Sequence, residues 1–241
     1  MPSKLLPALM AEVVGTFAIV FVGCGAVMVN TNVHGRITNV GIAVAFGGIV
    51  ALMIVALGHI SGAHFNPAVT LGFVIARHFP WQRMFSYWLA QCTGAILGAA
   101  ALRLLLGNID HIGATLPAHS MWEAFYLEIL LTAGLMAVCI AMAKNTRIIR
   151  HMSAIIVGSF IVIEAIIGGP ISGASMNPAR SLGPAFIAAI WSNQWIYLTA
   201  PFIGAIIAAY LYIWLRETYV KNSKEIGNTS EEKRADPYLY K

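Results

Sequence analysis

Six long runs of apolar residues divide the chain, at about 8–29, 40–58, 84–106, 122–143, 153–169 and 194–215. Most reach the roughly 20 residues that cross a hydrocarbon core of about 30 Å, so the pattern predicts six membrane-spanning helices. Two further apolar stretches, Ala68 to Arg77 and Ala179 to Ala189, are too short to span and read as re-entrant half-helices. Each follows a polar phrase that breaks the pattern. The first is Ser61-Gly62-Ala63-His64-Phe65 before Asn66-Pro67-Ala68; the second is Ser172-Gly173-Ala174-Ser175-Met176 before Asn177-Pro178-Ala179. The first run is a span rather than a cleavable signal, because it is long and carries Gly23-Cys24-Gly25 in its interior.

The doubled phrase belongs to a longer repeat. Ala11-Glu12-Val13-Val14-Gly15-Thr16 aligns with Leu127-Glu128-Ile129-Leu130-Leu131-Thr132, so each half opens on a helix with Glu and Thr four apart. Each half closes alike, with Tyr87, Gly94, Ala95 and Ile96 matching Tyr197, Gly204, Ala205 and Ile206. The expected unit is 1–216, with repeat 1 over about 5–106 and repeat 2 over about 120–215. Three spans per half is an odd number, so the second half enters from the opposite face and the repeat is inverted. The fold class that follows is an all-α membrane protein: six transmembrane helices plus two re-entrant half-helices.

Asn is a good N-cap and Pro fits the first helical turn, so each motif starts a half-helix. Inverted symmetry brings the two N-termini together near the midplane. The carbonyls of Gly62, Ala63, His64 and Phe65, and of Gly173, Ala174 and Ser175, are expected to form a ladder of acceptors. Irregular backbone at that depth is tolerated only where it lines a watery cavity, so the pattern implies a pore.

Composition narrows the class. The chain is 59% hydrophobic and 10% charged, more apolar surface than a soluble domain of this length can bury. Its net charge of +5 does not point to nucleic acid, because the basic residues are sorted by side. With the N-terminus inside, Lys4, Arg77, Arg83, Lys144, Arg147 and Arg150 are cytoplasmic, and only Arg36 and Arg103 lie towards the outside. That places both termini in the cytoplasm. Residues 217–241 are polar and read as a flexible cytoplasmic tail. Cys24, Cys92 and Cys139 fall inside apolar runs and are packing residues, not a disulfide framework or metal site. No metal, cofactor or enzyme chemistry is expected, since no nucleophile with a base, metal cluster or phosphate loop is present. Gly15, Gly47, Gly48, Gly94, Gly98, Gly158 and Gly204 are expected at close helix crossings.

The polar residues left inside the spans are the candidate chemistry. Asn66 and Asn177 cap their half-helices and still have an amide donor for the lumen. The two converging N-termini place about half a positive charge each at the pore centre, a field that opposes cations and protons. Arg180 lies one turn along from Asn177 and can share the pore-facing side. Glu12, Glu128 and Glu164 are intramembrane carboxylates, which need a role to be kept. His59 and His64 border the cytoplasmic half, where bonding to loop backbone is favoured over pH sensing.

Two such motifs in an inverted repeat, with Arg180 after the second, resemble the aquaporin (major intrinsic protein) superfamily over roughly residues 5–215. The stretch from Gly169 to Ala185 is similar to the nodulin-like intrinsic proteins of plants and their bacterial relatives. The resemblance implies a plasma-membrane homotetramer with one pore per subunit, carrying water and small neutral solutes. It implies a selectivity filter at Phe46, Ala165, Ala174 and Arg180. It also implies that Glu12 and Glu128 brace the motif loops, and Glu164 is expected to anchor the second one. Water-selective members usually carry His at the place of Ala165, and glycerol facilitators Asp at the place of Ser181. The wider, less polar filter implied here fits glycerol, urea-sized solutes or uncharged hydroxides such as arsenous, boric or silicic acid. A water-selective pore is the alternative, and a proton-coupled transporter the main rival of another class.

Overall fold

The structure, a computed structural model, describes residues 5–143 and 147–235. Its helices are α1 (Leu5–Ile19), α2 (Gly25–Asn32), α3 (Thr38–Ser61), α4 (Pro67–Ile75), α5 (Met84–Leu106), α6 (Met121–Ala141), α7 (Arg147–Ser172), α8 (Pro178–Ala188) and α9 (Gln194–Ala235). A π-helical turn, Val20–Cys24, joins α1 to α2. Six stretches are long and apolar enough to cross a bilayer: Leu5–Asn32, Thr38–Ser61, Trp81–Leu106, Met121–Ala141, Met152–Ser172 and Gln194–Thr218. Each overlaps one of the six runs read from the sequence. The half-helices α4 and α8 have 9 and 11 residues, about half the core thickness at roughly 1.5 Å per residue.

The two halves pack by the same rule. α1 lies on α5 and α6 on α9, and α3 crosses α7 at the junction between halves. Glycine sets these distances. A Cβ on Gly94 would lie 2.3 Å from the Val13 carbonyl oxygen, and one on Gly204 would lie 2.3 Å from that of Ile129. At the α3–α7 crossing, Gly47 and Gly158 press on each other's backbone, with Cβ-to-oxygen distances of 2.3 and 2.6 Å. Without a hydrophobic drive between helices in lipid, such close contact is what holds a bundle. Gly48 departs from expectation, because it faces open space. Large apolar side chains such as Leu52, Leu89, Leu104 and Leu130 point outward, as in a protein whose solvent is lipid.

Two expectations meet the edges of the structure. The flexible tail from 217 begins instead as helix, since α9 continues to Ala235; Glu, Lys and Ala favour that conformation. Lys4 and Lys144, two of the charges counted for orientation, lie outside the described residues.

Candidate functional site

Each motif loop has the same backbone. Gly62, Ala63 and Phe65 take φ of 92°, 55° and 50°, and Gly173, Ala174 and Met176 take 85°, 42° and 52°. Left-handed conformations of non-glycine residues cost roughly 1–2 kcal/mol each, so both loops need outside support. A buried carboxylate supplies it. Glu12 accepts from the backbone N–H of His64 (3.0 Å) and Phe65 (2.6 Å), and from Gln91 Nε2 (2.8 Å). Glu128 accepts from the N–H of Ser175 (2.8 Å) and Met176 (2.7 Å), and from Ser172 Oγ (2.8 Å). Tyr87 and Tyr197 close the scheme, donating to the carbonyls of Ser61 (2.8 Å) and Ser172 (2.7 Å). The paired tyrosines visible in the repeat are therefore loop braces.

The asparagines do more than cap. Asn66 Oδ1 accepts from the N–H of Ala68 and Val69, and Asn177 Oδ1 from those of Ala179 and Arg180, with Pro67 and Pro178 opening the helices. Each amide then donates one hydrogen to the opposite loop: Asn66 Nδ2 to the Met176 carbonyl (2.7 Å), and Asn177 Nδ2 to that of Phe65 (2.8 Å). The two loops are thus locked to each other. An amide carries two hydrogens, so one on each asparagine is left for the lumen. Both residues line the same cavity, of about 150 Å³.

That cavity gathers the sequence-predicted residues. Phe46, Ala165, Ala174 and Arg180 all lie on its wall, with Gly62, Ala63, His64, Phe65 and Ser175. Gly173 does not, whereas Met176, the counterpart of Phe65, does. The repeat could have supplied Met176, since the two positions align. Ile19, Val50, Ile54, Val69, Leu135 and Ile161 add an apolar side. Polar loop atoms and apolar helix residues thus share one narrow wall.

Arg180 is buried, at 4% exposure, and pairs with no carboxylate among the described residues. Its Nη1 donates to the Gly113 carbonyl at 2.9 Å, and its Cζ lies 4.9 Å from the centre of the Phe46 ring. The Gly113 carbonyl is aimed by a left-handed turn in which Asp110, His111, Ile112 and Gly113 all have positive φ. Thr31 Oγ1 donates to Asp110 at 2.8 Å and pins that turn to α2. Sequence reasoning missed this loop; Asn, Asp, His and Gly clustered over 107–113 were the available signal, being tolerant of left-handed backbone. Ser181 is tied to Thr115 and Ser175 through its hydroxyl.

Two further expectations fail. Glu164 does not anchor the second loop: it is buried, its Oε2 has no partner, and its Oε1 faces Gly134 on α6. Its Oε1 lies against α6, and the hydrogen bonds to the second loop come from Glu128 instead. His64 does not use its ring on loop backbone either. The Nδ1 bonds the Thr70 hydroxyl (3.1 Å), and the ring sits among Phe73, Phe79 and Tyr87. His59 is exposed.

Comparison with known proteins places this geometry. The family model for the major intrinsic protein family matches residues 2–212. The chain is 46% identical to aquaporin NIP1-1 of Oryza sativa subsp. japonica, over 87% of this chain and 74% of that one. It is 44% identical to nodulin-26 of Glycine max, over 88% and 79%. Among solved structures it resembles the aquaglyceroporin from Plasmodium falciparum, with a TM-score of 0.77 and 26% identity, covering 86% of this chain and 95% of that one.

Proposed function

The chain belongs to the major intrinsic protein family and is a multi-pass membrane channel for water and small neutral solutes, not an enzyme; from that premise we propose that its filter is a wide one. In this reading Phe46, Ala165, Ala174 and Arg180 form the constriction, and it admits glycerol-like polyols, urea-sized solutes or metalloid hydroxides along with water. The observation that carries it is the pair of methyl groups, Ala165 and Ala174, on the wall of the cavity that Arg180 and Phe46 also line. Small side chains there leave room for a carbon skeleton, while Phe46 offers a flat apolar surface and Arg180 a fixed donor.

The remaining roles follow the same logic. The free amide hydrogens of Asn66 and Asn177 donate to a passing hydroxyl, and the loop carbonyls, Met176 included, accept from it. The converging N-termini of α4 and α8 with the Arg180 guanidinium oppose cations and protons. Glu12 and Glu128 are structural, as their hydrogen bonds to loop N–H groups support. We place four copies in the assembly, one pore each, in the plasma membrane with both termini cytoplasmic and the helical end of α9 on that side.

Liposome shrinkage in a glycerol gradient tests the filter. Re-swelling above empty vesicles is expected, and arsenous and boric acids should then follow. Fast water flow with no re-swelling would mean that Phe46 and Arg180 close the gap beside Ala165, and the pore would be water-selective. Accumulation of solute on a pH gradient would instead indicate a coupled transporter.

A further inference from the structure

The first span is not uniform. At Val20–Cys24 the α-helix gives way to a π-helical turn, and the buried Gly23 lies within it. Such turns insert one extra residue, bulge the backbone and are frequent at functional sites. Here the bulge meets a filter side chain. A Cβ on Gly23 would lie 2.1, 2.3 and 2.5 Å from Cε1, Cδ1 and Cζ of Phe46. The aromatic ring therefore rests on bare backbone. The Arg180 guanidinium is another neighbour, at 4.9 Å, and the ring also packs against the apolar clusters that contain Val20 and Val50. Arg180 cannot give way easily, because Gly113 holds its Nη1 and the left-handed turn holds Gly113.

We propose that Gly23 is a specificity-determining position: its missing side chain forms a recess that seats the Phe46 ring and so sets the aperture of the filter. The inference rests on the filter reading above. With backbone on one side, a held guanidinium on another and apolar side chains packed around it, the ring yields most readily into the cavity it lines. Any side chain at position 23 moves the ring that way and narrows the pore for solutes wider than water. Position 23 thus acts through Phe46 without touching the solute. The solute class it selects is the neutral, hydroxylated one with a carbon skeleton.

The test is the ratio of glycerol to water permeability in proteoliposomes of equal protein content. In Gly23→Ala the ratio should fall by about tenfold, with water flow reduced by less than about twofold, because pore width discriminates by solute size. In the Phe46→Ala background, adding Gly23→Ala should leave the ratio unchanged, since no ring remains to be displaced. Should Gly23→Ala alone fail to assemble, the comparison of Phe46→Ala with Gly23→Ala/Phe46→Ala decides: equal ratios support the recess, unequal ones overturn it. A glycerol-permeable wild type with an unchanged ratio in Gly23→Ala would overturn the role of Gly23 only. A wild type closed to glycerol would overturn the wide-filter reading and this inference with it.

Discussion

The two motif loops are alike in backbone and unlike in chemistry. Both carry the same three left-handed positions, a glutamate under two N–H groups, a tyrosine on the preceding carbonyl and an asparagine bonded to the other loop. Yet where the second half-helix has Arg180, the first has Val69, and where the second loop has Ser175, the first has His64. Ala165 corresponds in the same way to Ile54. All six line the one cavity. What the repeat preserves is therefore the bracing, which both strained loops need. What it lets diverge is the wall, where each end of the pore meets solute. Selectivity in the proposed reading comes from the asymmetry, and stability from the symmetry.

Several substitutions would break or sharpen this contrast. The largest effect is expected from Glu12→Ala and Glu128→Ala. Each strands three donors in the interior at about 1–3 kcal/mol apiece, so neither variant should retain a folded, assembled protein. Thermal unfolding in detergent and gel-filtration profiles would read this out. A mild phenotype in either would show that only one loop depends on its carboxylate. Next in size is Arg180→Ala, which should raise glycerol flux by roughly tenfold and let cations through, as a planar-bilayer recording would detect. Its repeat counterpart, Val69→Ala, should admit no ions. Absence of leak in both would locate the barrier at the half-helix N-termini instead.

Ala165→His comes third. The imidazole should narrow the constriction and lower glycerol permeability by about tenfold while water flow changes by less than about twofold. An unchanged ratio in stopped-flow light scattering would move the constriction elsewhere. The smallest effect belongs to Glu164→Gln. With Oε2 unpartnered, the isosteric amide should shift stability by no more than about 1 kcal/mol and leave selectivity alone. A large drop in melting temperature would reveal a partner for the carboxylate.

Much of this was legible in the chain. Apolar runs of spanning length gave the six crossings, because hydrocarbon demands that every backbone group be satisfied within a helix. Short apolar runs behind Asn-Pro gave the half-helices, because a capping side chain and a proline act locally. Equivalence of Glu12 with Glu128 and of Tyr87 with Tyr197 was visible as spacing. The partners were not. Nothing local says that Asn66 donates to Met176, that Gly113 holds Arg180, or that Glu164 leaves its Oε2 without a partner. Three of the four residues in the left-handed turn over Asp110 to Gly113, all but Ile112, tolerate that backbone, yet the turn's target lies some 67 positions along the chain.

By itself, then, the sequence determined the crossings, the caps and the inverted repeat, and it named many, not all, of the residues on the cavity wall. These depend on hydrophobic transfer and on hydrogen bonds within a turn or two, which act over short stretches of chain. The tertiary structure decided which loop braces which, where Gly173 and Met176 fall relative to the lumen, and how far Phe46 stands back on Gly23. Those are contacts between helices distant in sequence. Their geometry is set by the close approach of backbones at a few glycines, a quantity that exists only once the bundle has formed.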